Sequence, residues 1–519
     1  MFNRQSENHD SLKKRYFYKL FSNFIGFFLN LFAQAIIPRG LGPEAYGNYN
    51  FLTNFFTQLV GFFDGGTSTC FYTKLSHRPK EAGLVSFYFM FSGIVSMAMI
   101  LFIFMSVVTN VYPKIWPGQE ITFIYLAIGL SILMWFAQTI NLMTDAYGIT
   151  VSAELLKISQ KFIGILILFG LFINNRLNLM SFFVYNYLIW LLFLILLLAL
   201  IIRNGYLIME KCKLSFNKIK EYIDEFWKYS HPLFTCSLVV LITGIFDRWF
   251  LQVYSGSAQQ GFYSLAYQIG AICFLFTGAM APLFMRELSI AHGNNDVTKI
   301  RGMFRRYVPL FYAITAYFSC FIAVEARRVV YIFGGASFNG AAIALAIMAF
   351  YPMHQTYGQL NGSVFYATAQ TKLYRNIGII FNLAGLPVTY FLIAPPELMG
   401  INAGAVGLAI KMVTLNIIGV NVQLYFNAKQ LHLNFWRYLG HQIIIVIILL
   451  ILAIGSDFAV NFLLKFGGKT TIFLTSGALY SILVITAVYF FPIIVGMCRE
   501  DINTFIYECG KRLNFSAKC

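Results

Sequence analysis

Six charged residues of this sequence are singled out because they stand inside long apolar runs or at their ends, where a charge is rare. An ionised side chain in hydrocarbon costs several kcal/mol, so each of them calls for a partner, a ligand or an ion. The six residues are Arg39, Asp64, Asp247, Arg248, Arg286 and Lys411.

The deepest of these cations is Lys411, in the stretch "GAVGLAIKMVTLNIIG". It follows about nine apolar residues, or roughly 14 Å at the rise of a helix, too deep for the ammonium to reach the surface easily. Two interpretations stay open: a cation that faces a cavity and binds an anionic ligand, or a buried partner for a carboxylate.

The arginines are less deeply placed. Arg248 follows Asp247 directly, and since neighbouring helical residues point about 100° apart, only one of the two can face a given cavity. Arg39 either contributes to that cavity or reaches lipid headgroups. Arg286 either meets an anion at the inner end of its run or pairs with the adjacent Glu287.

The most buried carboxylate is predicted to be Asp64, which precedes Gly65 and Gly66 and lies roughly 15 Å along a helix from Lys74. A carboxylate at this depth is a candidate for coupling to H⁺ or Na⁺, and Asp247 is assigned to the same class. The alternatives are a pairing with Arg39 or a backbone cap at the glycine pair.

The elements that must position these residues are membrane-spanning helices. Only 11% of the residues are charged, 58% are hydrophobic, and the mean hydropathy is +0.68. About fourteen apolar runs of roughly 20 residues, such as "FFVYNYLIWLLFLILLLALII" (182–202), are each long enough to cross a bilayer. The sequence therefore predicts an all-α polytopic membrane protein with about 14 transmembrane helices.

The charge of +17 follows the positive-inside rule when both termini are cytoplasmic, and it requires no nucleic-acid partner. The first apolar run follows a basic start and lacks a small-residue cleavage site, so it is interpreted as an uncleaved first helix. Eight cysteines without a CxxC pair predict neither disulfides nor a metal site.

An internal repeat is visible at an offset of 214 residues. "GPEAYGNY" (42–49) aligns with "GSAQQGFY" (256–263), pairing Gly42 with Gly256 and Gly47 with Gly261. Six predicted crossings separate the copies, which indicates a parallel repeat of two pseudo-symmetric six-helix lobes followed by two helices. The expected divisions are an N-terminal lobe (1–202), a cytoplasmic linker (203–230), a C-terminal lobe (231–427), helices 13 and 14 (428–497) and a cytoplasmic tail (498–519).

The repeated stretch is rich in helix breakers. Pro38, Gly40, Gly42 and Pro43 are expected to stop the first helix and form a tight external turn. Gly47 is expected to allow close packing where the two halves meet.

Two stretches resemble nucleotide-binding motifs, but neither has the sequence context that such a motif requires. "GLGPEA" (40–45) lacks a surrounding βαβ unit, and "GGKTT" (467–471) has leucine where a P-loop needs its first glycine. No HExxH or nucleophile elbow occurs, so the chain is not expected to be an enzyme.

The stretches "AQAIIPRGLGPEAYGNYNFLTNFF" (33–56) and "FFDGGTST" (62–69), with "EFWKYSHPLF" (225–234), "QGFYSLAYQIG" (260–270) and "APLFMRELS" (281–289), resemble polysaccharide flippases. These are the Wzx-type branch of the multidrug/oligosaccharidyl-lipid/polysaccharide (MOP) exporter superfamily. The resemblance covers essentially the whole chain in length, helix number and two-lobe layout.

The resemblance implies transfer of an undecaprenyl-diphosphate-linked oligosaccharide from the inner to the outer leaflet of a bacterial plasma membrane, for O-antigen, capsule or a similar polysaccharide. Alternating access is coupled to H⁺ or Na⁺, without ATP or another cofactor. Lys411, Arg248, Arg286 and Arg39 become the cavity cations, and helices 13 and 14 offer a groove for the lipid. The implied partners are membrane lipids, a polysaccharide polymerase and a chain-length regulator.

Two other classes remain as alternatives. A multidrug/cation antiporter of the same superfamily is expected to lack the "PRGLGPEAYG" signature. A membrane polymerase or glycosyltransferase typically needs a sizeable external loop with catalytic acids or arginines, and the external loops here are short.

Overall fold

The computed structural model describes residues 12–206, 215–272, 274–464 and 467–496, together with Arg499. Residues 207–214 of the expected linker and the expected tail, except Arg499, lie outside the described residues. Every regular element of the described part is helical, so the all-α prediction is confirmed.

The chain divides into two compact units, Met1–Gly261 with Ile393–Gly400, and Phe262–Leu392 with Ile401–Cys519. The helices that begin in the first unit are α1 (Leu12–Asp64), α2 (Thr67–His77), α3 (Ala82–Val108), α4 (Tyr112–Ile115), α5 (Ile121–Ala146), α6 (Thr150–Ile173), α7 (Leu179–Arg203) and α8 (Phe216–Ala271). The last ten residues of α8 belong to the second unit.

The α-helices that begin in the second unit are α9 (Phe274–Gly293), α10 (Val297–Val324), α11 (Ala326–Gly334), α12 (Ala342–Met348), α13 (Tyr351–Ala367), α14 (Thr371–Ile393), α15 (Gly404–Gln430), α16 (Phe435–Leu463) and α17 (Lys469–Phe490). Short 3₁₀ helices cover Ala336–Ala341, Pro396–Leu398 and Pro492–Val495.

Two of the helices are kinked at a single glycine. Gly42 in α1 has φ 75° and ψ 170°, and Gly256 in α8 has φ 77° and ψ −178°, a conformation that is open essentially only to glycine. The sequence had suggested that Pro38 and Gly40 also end the first helix, but the helix runs through both of them. It resumes at Pro43, since the first position of a helix needs no N–H donor.

Twelve helical ranges of the described residues are long and apolar enough to cross a membrane. Two of these ranges, Phe17–Asp64 and Ser237–Ala271, contain the kinks at Gly42 and Gly256 and so hold two helical segments each. Counting the segments separately gives fourteen helical segments, which is roughly consistent with the predicted number of about 14 transmembrane helices.

In the first unit, α1 and α6 lie side by side and run in the same direction. Arg15 Nε donates to Thr150 Oγ1 at 3.0 Å, and Gly26 lies against Lys161, eleven residues further along each helix. Parallel packing over this length makes the contact between α1 and α6 a main seam of the unit.

The start of α8 is fixed to the first unit by an ion-pair cluster. Arg78, after α2, contacts Glu225 at 2.7 Å and Glu81 at 3.2 Å, and Lys74 lies 3.4 Å from Glu225. The Tyr222 hydroxyl donates to Glu81 at 2.6 Å. These ion pairs and this hydrogen bond therefore attach the amphipathic segment at the start of α8 to the end of α2 and the α2–α3 loop.

The segments of α1 and α8 that follow the kinks cross at two glycines of the first unit. A Cβ on Gly47 would overlap the carbonyl oxygen of Ser257, and a Cβ on Gly261 would overlap that of Pro43. Gly47 and Gly261 are 214 residues apart, and so are Pro43 and Ser257. The two copies of the sequence repeat therefore contact each other through equivalent positions. Close packing at Gly47 is observed as expected.

The second unit has its core among α10, α13, α15 and α16. At one end, Phe304 packs on Tyr438 with ring centroids 5.5 Å apart. Toward the other end, Cys320 Sγ of α10 lies 3.9 Å from the Val446 carbonyl oxygen of α16. Beyond the end of α10, Arg328 of α11 contacts Asp457 at 2.5 Å and Asn461 at 2.7 Å. Since both ends match, α10 and α16 run parallel, and this packing joins α16 to the rest of the unit.

Candidate functional site

Asp64 stands at the end of α1, where the chain breaks before α2. The break is made by Gly65 (φ 46°) and Gly66 (φ 88°). Asp64 Oδ1 accepts hydrogen bonds from the Ser68 N–H at 3.1 Å and from Thr67 Oγ1 at 3.2 Å, and Oδ2 accepts one from Ser68 Oγ at 2.9 Å. The carboxylate thus caps the open end of α2, as one of the alternative interpretations predicted.

Two further donors reach Asp64 from other helices. Trp135 Nε1 of α5 donates at 3.2 Å, and the Tyr88 hydroxyl of α3 at 3.4 Å. Beside the carboxylate is a pocket of about 170 Å³. Its polar lining consists of Thr57, Asp64, Ser68, Ser131, Trp135, Gln138 and Thr139. A carboxylate with hydroxyl and amide oxygens nearby provides hard ligands for a small cation, or an acceptor for a proton.

Lys411 is the eighth residue of α15 and is only 6% exposed. Its side chain occupies a notch at Gly385 of α14, where a Cβ would lie 2.7 Å from Lys411 Cε and 3.0 Å from Nζ. The glycine is needed here because any larger residue would displace the lysine. The lysine is thus held within a candidate span by close packing.

Arg248 bridges the kink of α8. Its Nη1 donates to Gln260 Oε1 at 3.2 Å, and Gln260 Nε2 donates back to the Arg248 carbonyl oxygen. The two residues stand on opposite sides of Gly256, so their paired hydrogen bonds help to hold the bend. Asp247 is half-buried next to Arg248.

The other two cations are exposed. Arg39 lies three residues before the α1 kink. Arg286 is 71% exposed and contacts Glu287 at 3.0 Å, the pairing that the sequence offered as one alternative. Arg286 and Lys411 belong to the second unit, whereas Arg39, Asp64, Asp247 and Arg248 belong to the first.

One intramembrane cation of the first unit was missed from the sequence. Lys161 is the twelfth of the 24 residues of α6, at the midpoint of a candidate span. The apolar run expected from the sequence covers roughly residues 155–173, so Lys157 and Lys161 stood near its start. The available signal was their spacing, because Glu154, Lys157 and Lys161 lie on one face of a helix.

The sequence matches one family model, described as polysaccharide biosynthesis protein, over residues 12–285. No curated protein matches the chain in sequence.

Solved structures match the fold over most of the chain. The lipid II flippase MurJ in an inward closed conformation gives a TM-score of 0.63 at 14% identity, covering 92% of this chain and 99% of MurJ. An inward-facing multidrug resistance MATE family transporter of the MOP superfamily gives 0.59 at 16% identity, covering 78% and 94%. A MOP superfamily transporter from Pyrococcus furiosus, described as having a binding pocket of reverse polarity, gives 0.50 at 16% identity, covering 81% and 96%.

At these identities the structural matches establish the fold, which is that of multi-pass membrane transporters. The family assignment has a separate basis, since the family model covers just over half of the sequence. The two results agree with the helical, span-rich architecture of both units, and the chain belongs to the polysaccharide biosynthesis protein family.

Proposed function

We propose that this protein is a flippase that moves an undecaprenyl-diphosphate-linked oligosaccharide from the cytoplasmic to the outer leaflet, for O-antigen, capsule or a similar surface polysaccharide. The observation that carries the proposal is the buried Lys411 within a candidate span of a chain in a polysaccharide biosynthesis family. The MurJ fold, which serves lipid II flipping in that protein, supports the same class of substrate.

The chemistry required is recognition without bond breaking. A lipid diphosphate carries its negative charge close to the membrane core, where few groups can compensate it. An ammonium or guanidinium forms strong, charge-assisted hydrogen bonds to phosphate oxygens. Lys411 is proposed as the main contact, with Arg248, Arg286 and Arg39 as further cations that the headgroup meets as it moves.

Ion coupling is proposed at Asp64. The pocket beside its carboxylate has room for a small cation, and hydroxyl groups of Ser68 and Tyr88 already point at the oxygens. Binding and release of H⁺ or Na⁺ there would give direction to an alternating-access cycle. Asp247, half-buried on α8, is the second candidate for this role.

The proposed location is the bacterial inner membrane, with both termini cytoplasmic. This orientation places the basic segments, including the start of α8, on the cytoplasmic side. A polysaccharide polymerase and a chain-length regulator are proposed to use the product in the outer leaflet.

The test is deletion of the gene in its host, followed by measurement of surface polysaccharide and of complete lipid-linked units on the cytoplasmic leaflet. Loss of polymer with accumulation of these units is expected. Unchanged polymer with new sensitivity to cationic dyes would instead identify a multidrug antiporter. Accumulation of single units in the outer leaflet would identify a polymerase.

A further inference from the structure

Lys161 lies at the centre of a candidate span without a fixed counter-ion. It is half-buried, and its ammonium lies over Gly26 of α1, where a Cβ would stand 2.6 Å from Nζ. The midpoint of α6 is about 16 Å along the helix from Thr150. An ammonium at this depth requires compensation by a charge or by several hydrogen bonds.

The neighbouring carboxylate is already engaged. Glu154 Oε2 lies 3.4 Å from Lys157 Nζ, and the Glu154 side chain is only 3% exposed. Among the described residues, Lys161 forms no hydrogen bond or ion pair, whereas Lys157, one turn away on the same face, does. The two lysines therefore differ in one respect that matters for binding: the charge of Lys161 is available.

A hydroxyl lies about one turn from Lys161 along the same helix. Gly164 follows Lys161 by three residues, so it lies on the same face of α6. The Tyr185 hydroxyl of α7 approaches it, at 3.0 Å from the position of a Cβ on Gly164. Within the described part of the chain this hydroxyl has no hydrogen-bond partner either. An ammonium and a phenol about one turn apart match the donors that a phosphate group requires.

The approach to this position is polar. At the start of α1, Arg15 contacts Thr150 at the start of α6, and Lys19 contacts Asp145 at the end of α5. The parallel packing of α1 and α6 then leads from these groups to Lys161. Cations thus follow the seam from the end of the span to its midpoint.

We propose that Lys161, with the Tyr185 hydroxyl about one turn further along α6, forms an anion-binding site of the first unit that takes a phosphate of the lipid diphosphate. This inference rests on the proposed function. It adds a binding residue on α6 to the cations proposed above, and it makes the α1–α6 seam part of the substrate's path.

The test is a binding titration of full-length protein in phosphatidylcholine nanodiscs, with farnesyl diphosphate as the probe and farnesol as the neutral control. Loss of a charge-assisted hydrogen bond in Lys161→Gln is expected to raise Kd roughly tenfold to a hundredfold. Tyr185→Phe is expected to raise it by about threefold to tenfold. The matched control is Lys157→Gln, the same change one turn away on a lysine that is already paired, with an expected change below about threefold.

A second variant, Gly26→Ala, tests the proposal if Lys161→Gln does not fold. Gly26→Ala leaves the lysine in place but puts a methyl group where the ammonium lies, and a weaker probe affinity is expected. A Kd within about threefold of wild type in the folded Lys161→Gln, or an unchanged affinity in Gly26→Ala when the first variant fails to fold, overturns the proposal. So does the absence of probe binding to wild type.

Phospholipid headgroups could supply the same phosphate chemistry. Nanodiscs that contain phosphatidylglycerol are therefore a separate arm, and the expected result is an unchanged affinity for farnesyl diphosphate. Suppression of probe binding by phosphatidylglycerol would show that the site binds a phospholipid headgroup, and it would overturn the proposal. Failure of the proposed function is recognised separately, because the deletion strain then accumulates no lipid-linked units whatever Lys161 does.

Discussion

Replacing Asp64 by asparagine or by alanine separates a structural role of this residue from ion coupling. The carboxylate accepts five hydrogen bonds, from Thr67, Ser68 (backbone and hydroxyl), Tyr88 and Trp135. The three hydroxyls can turn to other acceptors, but the two N–H groups are fixed in direction. The fixed donors therefore set the cost of removing the carboxylate.

Alanine leaves the Ser68 N–H and the Trp135 Nε1–H without their acceptor. An unsatisfied buried donor costs about 1–3 kcal/mol, so the pair costs about 2–6 kcal/mol. Water that enters the enlarged pocket can satisfy both donors in part, which favours the lower end, about 2 kcal/mol. Asp64→Ala is expected to lose this much unfolding free energy.

Asparagine preserves the shape of the side chain. Its carbonyl oxygen can replace Oδ1, which accepts four of the five bonds, and its amide can donate to Ser68 Oγ in place of Oδ2. Asp64→Asn is therefore expected to lose less than about 1 kcal/mol of stability. It has no group that can be protonated or that can neutralise a bound Na⁺, so ion-driven flipping should be lost.

The assay has two parts. Unfolding in mixed micelles of sodium dodecyl sulfate and a mild detergent gives the stability difference. Flipping in proteoliposomes, with and without H⁺ or Na⁺ gradients, gives the coupling. A stable Asp64→Asn that still responds fully to the gradient would refute the coupling role, and an Asp64→Ala as stable as wild type would refute the hydrogen-bond reasoning.

Three further outcomes are expected. Lys411→Met, which keeps the buried stem but removes the charge, should lower surface polysaccharide at least about tenfold at an unchanged protein level, measured by complementation of the deletion strain. Gly47→Val should abolish stable folding, measured by detergent size-exclusion chromatography, because a side chain cannot fit against the Ser257 carbonyl. Burial alone would raise the pKa of the Glu225 carboxyl, but the hydrogen bond and charge of Arg78 outweigh it and hold the pKa below its ordinary value. A carboxyl whose pKa is lower in the folded state stabilises the protein above its unfolded pKa, so this stabilisation should fade as the pH falls below about 4.3. The stabilisation should amount to less than about 1 kcal/mol and be absent in Glu225→Gln. Unfolding measured across a range of pH tests both expectations.

Each of these outcomes has a matched control. Lys429→Met changes an exposed lysine on the same helix as Lys411 and should retain full polymer; equal losses in both variants would argue against a cavity role. Gly61→Val changes a glycine of α1 that has open space around it and should fold, and folding of Gly47→Val would show that the crossing is not tight. The same acid sensitivity in Glu225→Gln and wild type would contradict the assignment to this ion pair.

Much of the fold was accessible from the sequence, because hydropathy and charge act locally. Apolar runs of about 20 residues define spans whatever their neighbours are, and the described residues confirm the all-helical architecture. The equivalence of Gly42 and Gly256, inferred from an aligned octapeptide, reappears as nearly equal φ and ψ angles. Pro38 and Gly40 were exceptions, since both residue types favour a helix break but α1 runs through them.

The candidate site was only partly accessible. The scarcity of charge singled out Asp64 and Lys411 in the sequence, because any ionised group in a span is costly. The partners were not visible: Trp135 is 71 residues from Asp64, and Gly26 is 135 residues from Lys161.

The sequence by itself determined the class of this protein, most of its spans, the equivalence of Gly42 and Gly256, and most of the charges that can act within a membrane. The tertiary structure alone decided which of those charges are compensated. Five donors from α2, α3 and α5 surround the Asp64 carboxylate, whereas the Lys161 ammonium lies against Gly26 of α1. The physical reason is that hydropathy and helical rise are properties of a segment, whereas pairing a charge depends on the few ångströms between segments that are distant in sequence.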